Sequence, residues 1–523
     1  MKEIRLLDCT LRDGGYVNNW SFGKKNIKTI LNGLNDSNVE FIEIGYYAPK
    51  KEFDENSTLF SNIYDINSKL KSKNNLIMVN YGDADISEIP DSDELDNIFG
   101  IRVCFHKNNC SEAIEFCNKL KEKGWNVFVQ PMVTMSYSEK EFKELIEKVN
   151  EIQPYALYIA DSFGTMNQED VIEKFTKLDK ILNDNITIGF HSHNNLQLSY
   201  SNVITLLEMN LNRDIIIDSS VHGMGRGAGN LNTELIMKYL INKYKKQYKI
   251  IPILEVLDEC IIEQKEKYGW GYCLEYYLSA QYNCHPNYAR FLSEMHTLTI
   301  NDINQILAMI PSDKKNTFDK TYIEELYITY LNHRIDDSAA YEKLHDLLKN
   351  KKILLLGGGN SIVQNKDEIK SFIDENTIII SLNNLNDIYD VEFIFVSNKR
   401  RYKEFALEDH KKIICTSNVK EDSSEDLLTF DYLSNLAKEY ETSDNVLLIF
   451  LNILIKAKID NVYLCGFDGF TYKDTNYYSD DLAYTIHKER IDNINEVIKK
   501  YIKLYDKKIR LNWLTNSKYQ EEN

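Results

Sequence analysis

Short apolar runs rich in β-branched residues alternate with longer amphipathic segments through the first half of the chain. In the longer segments the apolar residues recur at i, i+3 and i+4, which is the spacing of one helix face. This alternation is typical of βαβ units and a parallel sheet. It predicts strands at residues 4–9, 41–46, 76–81, 98–105, 126–132, 156–161, 186–191 and 215–221, with helices at 24–34, 110–121, 139–152, 168–182 and 196–209 between them. Eight strand–helix units in about 240 residues predict an α/β fold of the (β/α)8 TIM-barrel type.

The strand pattern stops near residue 250 and returns near residue 350. Helical patterns at 260–278 and 338–348 occupy the interval and predict a helical extension of the barrel. A second α/β pattern follows, with strands predicted at 351–357, 377–382, 393–396, 412–416 and 461–465. We therefore expect a barrel at 1–245, a helical extension at 246–348 and a Rossmann-like α/β module at 349–523.

Composition narrows the classes of function. The 523 residues include 62 Lys and Arg against 80 Asp and Glu, a formal charge of −18, which disfavours binding to nucleic acid or to anionic membranes. Nine cysteines without a Cys-x-x-Cys pair indicate reduced thiols rather than a disulfide framework or a zinc ribbon. Since the N-terminus has no signal-peptide pattern and the longest apolar run covers only residues 446–455, we expect a cytoplasmic protein without a membrane span.

Polar side chains gather where the predicted barrel strands end, which is where barrel enzymes place their active sites. His191 and His193 flank one residue at the end of strand seven, so period-two geometry points both imidazoles to the same side. Asp13, after strand one, and Asn230, after strand eight, would complete a mixed nitrogen and oxygen site for a divalent ion. An isolated His-x-His is often a chance pair, but here it accompanies an Arg-Asp-Gly turn and a glycine-rich loop.

Those motifs carry a resemblance to a known superfamily. LRDG at 11–14, Glu43, HSHN at 191–194 and GMGRGAGNLNTE at 223–234 resemble the metal-dependent barrels that include 4-hydroxy-2-oxovalerate aldolase, hydroxymethylglutaryl-CoA lyase and the isopropylmalate-type synthases, which share a pyruvate carboxyltransferase-like domain. The resemblance implies that Mn²⁺ or Mg²⁺ is held by Asp13, His191, His193 and Asn230. It also implies that Arg12 stabilises an enolate and that Glu43 holds Arg12 in place.

The chemistry of C–C bond cleavage beside a 2-keto acid agrees with those roles. The reaction passes through an enolate, whose oxygen needs fixed positive charge. A divalent ion acts there as a Lewis acid, and a guanidinium adds a charge that does not deprotonate. The alternative for Arg12 is an ion pair with Glu43 that only braces the barrel.

Further substrate contacts are predicted around the rim. Gln130 ends strand five, and the turn at Asp161 and Ser162 either holds the substrate carboxylate or is a plain tight turn. Tyr272 lies in a segment similar to the helices in which aldolases place a tyrosine near the substrate.

The residues alone give more than one candidate for the general base. The aldolases have a histidine two residues after the Asp-Gly pair, and this chain has Tyr16 there. A tyrosine with a pKa near 10 is a poor base at neutral pH unless its surroundings lower that pKa. Tyr16 is therefore either a tuned acid–base group, or its role passes to His106 or His285.

The C-terminal module opens with a strand and a glycine turn. Gly358, Gly359, Asn360 and Ser361 are predicted to expose backbone N–H groups to a phosphate, although neither the dinucleotide nor the P-loop spacing is present. With small motifs later in the module, this region distantly resembles bacterial sialyltransferase-like nucleotide-sugar enzymes. A structural or protein-interaction role is the alternative.

Together these observations predict a divalent-metal aldolase that cleaves or forms a 4-hydroxy-2-oxo acid from pyruvate and an aldehyde, serving the synthesis of a surface sugar. The alternatives are a Claisen-type transferase that condenses an acyl-CoA, or a bifunctional protein with a glycosyltransferase-like C-terminal domain. The expected partners are a 2-keto acid, an aldehyde and, at the C-terminal module, a nucleotide sugar. Homo-oligomerisation is left open.

Overall fold

The protein divides into two compact units. The structure, a computed structural model, describes residues 3–50, 54–64, 70, 72–295, 297–332, 334–405, 412–420, 427–440, 443–472, 476–479, 482 and 488–520. The first unit comprises Met1–Arg290 and Ile310–Phe318, and the second comprises Phe291–Met309 and Asp319–Asn523. The helical extension predicted at 246–348 is thus shared between the two units. The domain boundaries drawn at 245 and 348 stay predictions.

The first unit is a closed parallel barrel, as predicted. Among the described residues its sheet runs β1-β9-β8-β7-β6-β5-β4-β2, and the pairing of β1 with β2 closes it, with Leu7 opposite Phe41. The short strand β3 extends the edge of β2. The strands are β1 Ile4–Asp8, β2 Phe41–Tyr47, β3 Leu59–Phe60, β4 Asn75–Asn80, β5 Ile98–Phe105, β6 Asn126–Pro131, β7 Ala156–Asp161, β8 Thr187–Ser192 and β9 Ile215–Ser219.

The barrel strands are buried on both faces, which explains why they read as nearly continuous apolar runs. Inside the barrel, Leu7, Phe41, Phe128, Tyr158 and Ile216 belong to one packed cluster. The outward-facing side chains pack against a ring of amphipathic helices. The helices of the barrel lie at Thr10–Asp13, Gly15–Asn18, Lys24–Asp36, Cys110–Glu122, Glu139–Ile152, Gln168–Ile181, Ser199–Glu208 and Thr233–Tyr244.

Further helices follow the barrel. They lie at Ile251–Val256, Ile262–Tyr268, Leu274–Gln281 and Asn287–Glu294, with a π-helical turn at Leu257–Ile261. The prediction of a single helix over 260–278 is wrong at one point, because the helix is interrupted between Tyr268 and Leu274. Gly269 and Gly271 there have φ of +69° and +117°, values that a right-handed helix cannot include.

The second unit contains a doubly wound parallel sheet. Its described strands run in the order β14-β13-β12-β11-β10-β15-β16. They are β10 Lys352–Leu356, β11 Thr377–Leu382, β12 Phe393–Val396, β13 Ile413–Thr416, β14 Leu428–Phe430, β15 Asn461–Cys465 and β16 Arg510–Trp513. Helices lie at Ile300–Ala308, Lys320–Tyr330, Ser338–Leu348, Ser361–Gln364, Lys366–Phe372, Lys399–Phe405, Tyr432–Asn435, Val446–Lys456 and Lys488–Tyr505. The sequence did not predict β14 and β16, which are short and partly polar.

Two expectations about the chain can be compared with this fold. All nine cysteines are free thiols, and most are buried. The apolar run at 446–455 forms most of the helix Val446–Lys456, which is buried in the second unit. Of the helices that the structure describes, none combines the length and the apolar character that crossing a membrane requires.

Candidate active site

A layer of buried charged side chains lies inside the barrel. Arg102 of β5 is fully buried, and its Nη1 donates hydrogen bonds to Asp218 Oδ2 of β9 at 2.5 Å and to Gln130 Oε1 of β6 at 2.6 Å. Its Nε lies 3.1 Å from Glu43 Oε1 of β2. Burial alone would lower the pKa of Arg102, but the carboxylates of Asp218 and Glu43 raise it. Arg102 therefore stays charged and links three strands from within.

Arg12 lies at the rim of the barrel, directly after β1. Its Nε donates to Glu43 Oε2 at 2.6 Å and its Nη1 to Asp13 Oδ1 at 2.5 Å. Its Nη2 is buried and has no hydrogen-bond partner among the described residues. The ion pair with Glu43 is thus present, and the same guanidinium still keeps N–H groups for a ligand.

Asp13, His191 and His193 form a buried cluster whose ligand atoms all lie within 4.8 Å of one another. Burial alone would raise the pKa of Asp13, but the charge of Arg12 holds it below its ordinary value. Burial lowers the pKa of His193 to about 3, although Asp13 acts against it. At neutral pH the cluster therefore offers an ionised carboxylate and a neutral imidazole, the protonation states that metal ligands need.

Hydrogen bonds orient both imidazoles. Nδ1 of His191 lies 2.9 Å from Asp218 Oδ2, and Nδ1 of His193 lies 3.2 Å from the carbonyl oxygen of Arg226. Each acceptor favours the tautomer with the proton on Nδ1, in which Nε2 is the nitrogen that can bind a ligand.

Asn230 completes the cluster from the loop after β9. Its Nδ2 donates to Asp13 Oδ2 at 2.7 Å, while its Oδ1 is buried without a partner among the described residues. A Cβ at Gly225 would lie 2.3 Å from Asn230 Nδ2 and 2.5 Å from Asp13 Oδ2, so the loop closes tightly over the cluster. Two imidazole nitrogens, a carboxylate and a free amide oxygen fit a divalent ion such as Mn²⁺ or Mg²⁺.

The other predicted substrate contacts lie in different surroundings. Gln130 belongs to the buried layer through Arg102. Both carboxylate oxygens of Asp161 accept backbone N–H groups of its own turn, and burial raises the pKa of Asp161 to about 7. Ser162 Oγ accepts the N–H of Val133 at 2.8 Å. Tyr272 is 59% exposed and makes no hydrogen bond to a described residue, so the structure does not join it to the cluster.

The three candidate acid–base residues differ in protonation state and in hydrogen bonding. Burial raises the pKa of Tyr16, although Arg12 and Arg226 lower it, so the phenol keeps its proton at neutral pH. Burial lowers the pKa of His285 to about 3, and its Nδ1 accepts the N–H of Asn287. Partial burial of its ring, together with the charge of Arg226, also lowers the pKa of His106. Its imidazole makes no hydrogen bond to a described residue, although its backbone carbonyl accepts the N–H of Asn109. His106 is thus the candidate with a free, neutral imidazole.

Sequence reasoning missed Arg102 and Asp218, which lie between the cluster and the barrel core. A signal was available, because each is the single charged residue of an apolar strand, IFGIRVCF and IIIDS. A charge in a strand that is buried on both faces requires a buried partner.

In the second unit the predicted glycine turn borders a cavity. Gly358 and Gly359 follow β10 and line a space of about 670 Å³ together with Asn383 and Asn384, which follow β11. The backbone N–H of Ser361 donates to Asp468 Oδ2 at 2.9 Å, so a carboxylate of the protein already satisfies it. Asn360 precedes the short helix Ser361–Gln364.

The barrel and the cluster at its rim are arranged as in an enzyme active site that can hold a divalent ion. Residues 3–259 match the model of the HMGL-like family.

The same part of the chain is also similar to individual proteins. The chain is 28% identical over 249 residues to a 4-hydroxy-2-oxovalerate aldolase of Geobacillus genomosp. 3, covering 46% of this chain and 71% of the relative. It is 23% identical over 248 residues to an oxaloacetate decarboxylase of Mycobacterium tuberculosis, covering 46% and 70%. A crystal structure of the N-terminal domain of a candidate aldolase from Bacteroides vulgatus shares 25% identity with a TM-score of 0.48, covering 58% of this chain and 99% of that one.

Proposed function

We propose that the first unit catalyses the reversible aldol cleavage of a 4-hydroxy-2-oxo acid to pyruvate and an aldehyde. Asp13, His191, His193 and Asn230 would hold Mn²⁺ or Mg²⁺. The observation that carries this proposal is the buried Nη2 of Arg12, which has no partner among the described residues although Arg12 is bonded to the ligand Asp13. A free guanidinium N–H beside the metal-ligand cluster can donate a hydrogen bond to a substrate oxygen that becomes negative during the reaction.

The reaction balances in three steps. A base takes the proton of the C4 hydroxyl, the C3–C4 bond breaks to release the aldehyde, and the electron pair enters the C2–C3 bond as an enolate. Protonation of C3 then gives pyruvate. When bound, the divalent ion would supply Lewis-acid polarisation of the keto oxygen. Arg12 donates hydrogen bonds to the developing enolate oxygen, and its bonds to Glu43 and Asp13 fix its orientation.

Two residues are candidates for binding the 4-hydroxyl group or removing its proton. Tyr16 keeps its proton at neutral pH and suits hydrogen bonding to that oxygen. His106 has a neutral imidazole and suits removal of the proton. If His106 is the base, His106→Gln lowers kcat and removes the acidic limb of the pH–rate profile, whereas Tyr16→Phe lowers kcat with that limb unchanged.

The proposal is tested by pyruvate release from 4-hydroxy-2-oxopentanoate. We expect Mn²⁺ to stimulate release, and Arg12→Gln and His191→Ala to lower kcat by about 10²- to 10³-fold, the effect of losing one preorganised donor or the ion. Arg5→Gln, at a partly exposed arginine of the same barrel that pairs with Asp214, is the matched control. Undiminished turnover by EDTA-treated protein lacking both imidazoles would contradict the proposal. Thiol release from acetyl-CoA would favour a condensing transferase instead.

For the second unit we keep nucleotide-sugar binding as a separate proposal. The cavity of about 670 Å³ lies at the carboxyl ends of β10 and β15, where the strand order of the sheet reverses, and such switch points bind ligands in open α/β sheets. Because Asp468 already satisfies the N–H of Ser361 and the carbonyl oxygen of Gly466 that of Gly359, we place the ligand against Gly358 and Asn383 rather than on that helix. Only this unit connects the chain to the predicted role in surface-sugar synthesis. CMP-sugars that raise the melting temperature of the full chain, less so after Asn383→Ala, would support the proposal, and unchanged melting would contradict it.

A further inference from the structure

Arg226 carries a charge that the proposed aldol chemistry does not use. It lies half-buried in the loop after β9, four residues before Asn230. Its guanidinium makes no ion pair and no hydrogen bond to any residue that the structure describes, and its central carbon lies 5.7 Å from the centre of the Tyr16 ring. A half-buried guanidinium without an anionic partner can bind an anion from a ligand, because the described residues leave its N–H donors without an acceptor.

The loop holds Arg226 in a defined place. Its carbonyl oxygen is the acceptor for Nδ1 of His193, 3.2 Å away. Gly227 follows with φ of +71°, and a Cβ there would lie 2.7 Å from Asn195 Oδ1, which also accepts the N–H of Ala228 at 2.8 Å. The backbone that carries the guanidinium is therefore tied to the metal-ligand cluster.

The described titratable groups that the charge of Arg226 is shown to influence are imidazoles and a phenol. Its charge lowers the pKa of His106 and of His285, and it opposes the rise in the pKa of Tyr16. Arg12, which we propose to bind the enolate oxygen, also opposes the rise in the pKa of Tyr16. The phenol of Tyr16 is therefore influenced by two guanidinium groups. Arg12 is bonded to the metal-ligand cluster, whereas Arg226 has no anionic partner in the described structure.

We infer that Arg226 binds an anionic group, a carboxylate or a phosphate, on the aldehyde part of the substrate. The inference rests on the proposed aldol reaction, in which the cluster and Arg12 take the keto-acid part. The aldehyde part then lies toward Tyr16, where the unpaired guanidinium of Arg226 stands. A planar guanidinium binds either anion through paired N–H groups, so Arg226 makes anionic aldehydes the preferred substrates.

Three adducts of pyruvate test this inference, formed with acetaldehyde, glyoxylate and glycolaldehyde phosphate. Their 4-substituents are a methyl group, a carboxylate and a phosphooxymethyl group. We expect the wild-type kcat/KM to favour at least one anionic adduct over the methyl adduct by about 10- to 100-fold, the range of a charge-assisted hydrogen-bonded contact. The preferred anion identifies the natural substituent. Arg226→Gln should bring the ratio of the two kcat/KM values towards one, mainly through KM, and Arg226→Lys should restore part of it.

Two controls separate the outcomes. Lys238→Gln removes one exposed positive charge from the same barrel, and its preference should equal that of the wild type. Deuterium exchange of the pyruvate methyl group, followed by NMR, reports enolate formation without any aldehyde. Exchange and cleavage without an anionic preference, or a preference that survives Arg226→Gln, would overturn the inference alone. Absence of both exchange and cleavage would overturn the aldol proposal and the inference with it.

Discussion

Asp218→Asn is the most direct test of how the barrel interior prepares the metal-ligand cluster. Oδ2 of Asp218 accepts from Nδ1 of His191 and from Nη1 of Arg102, while Oδ1 accepts from Nη2 of Arg102 at 3.2 Å. An asparagine has the same shape but replaces one of those oxygens with an amide NH₂ group. Whichever way the amide is oriented, its N–H groups then face an N–H of His191 or of Arg102.

The size of the effect follows from these contacts. Loss of a hydrogen-bond partner behind a metal-ligating histidine typically weakens metal binding by about 10- to 100-fold, or roughly 1.4 to 2.7 kcal/mol. The change also removes one carboxylate from the fully buried Arg102. Breaking a buried ion pair costs about 3 to 5 kcal/mol. Since Glu43 still lies 3.1 Å from Arg102, we expect the loss of stability to be at the lower end, about 3 kcal/mol.

Two measurements separate the effects. Calorimetric titration with Mn²⁺ gives the dissociation constant, and urea unfolding in EDTA gives the stability of the metal-free protein. Asp214→Asn is the matched control, because Asp214 lies one residue before β9 and pairs with Arg5 at 3.2 Å with 37% of its side chain exposed. That variant should bind Mn²⁺ as the wild type does and lose no more than about 1 kcal/mol. A dissociation constant for Asp218→Asn within twofold of the wild type would refute the idea that Asp218 orients His191.

Three further predictions concern the same barrel. Gly225→Ala should abolish Mn²⁺ binding with the far-UV circular dichroism unchanged, because its Cβ would lie 2.3 Å from Asn230 Nδ2; a wild-type dissociation constant would contradict this reasoning. Burial raises the pKa of Asp161 to about 7, so its protonated form stabilises the folded protein. This stabilisation is complete below the unfolded pKa of about 3.9 and is lost as pH rises through 7. The urea midpoint of the wild type should therefore fall over that pH range relative to the midpoint of Asp161→Asn, and parallel curves for the two proteins would contradict this reasoning. Mn²⁺ at one hundred times its dissociation constant should stabilise the protein by about 2.7 kcal/mol, seen as a rise in melting temperature that EDTA reverses and that His191→Ala lacks; an equal rise in that variant would place the ion elsewhere.

The barrel and its ligand cluster were predictable because local pattern and chemistry coincide. Strands buried on both faces read as apolar runs, and polar residues directly after them, such as Asp13 and His193, converge at one end of a parallel barrel. Arg102 and Asp218 were not found, although they are 116 residues apart and bonded. A single charge in an apolar strand shows that a partner exists without showing which strand supplies it. The pKa of Tyr16 could not be predicted from the sequence for a related reason, since burial, the nearby Arg12 and the distant Arg226 together decide it.

The buried network also explains how a chain with a formal charge of −18 could bind the anionic substrate that we propose. Two guanidinium groups, Arg12 and Arg102, are ion-paired with three carboxylates, Asp13, Glu43 and Asp218. Without an ion the network therefore has one excess negative charge and would repel a keto acid. A divalent ion reverses that excess to one positive charge, which the carboxylate of a 2-keto acid neutralises. Metal binding should consequently precede substrate binding, and calorimetry should detect pyruvate binding only after Mn²⁺ has been added.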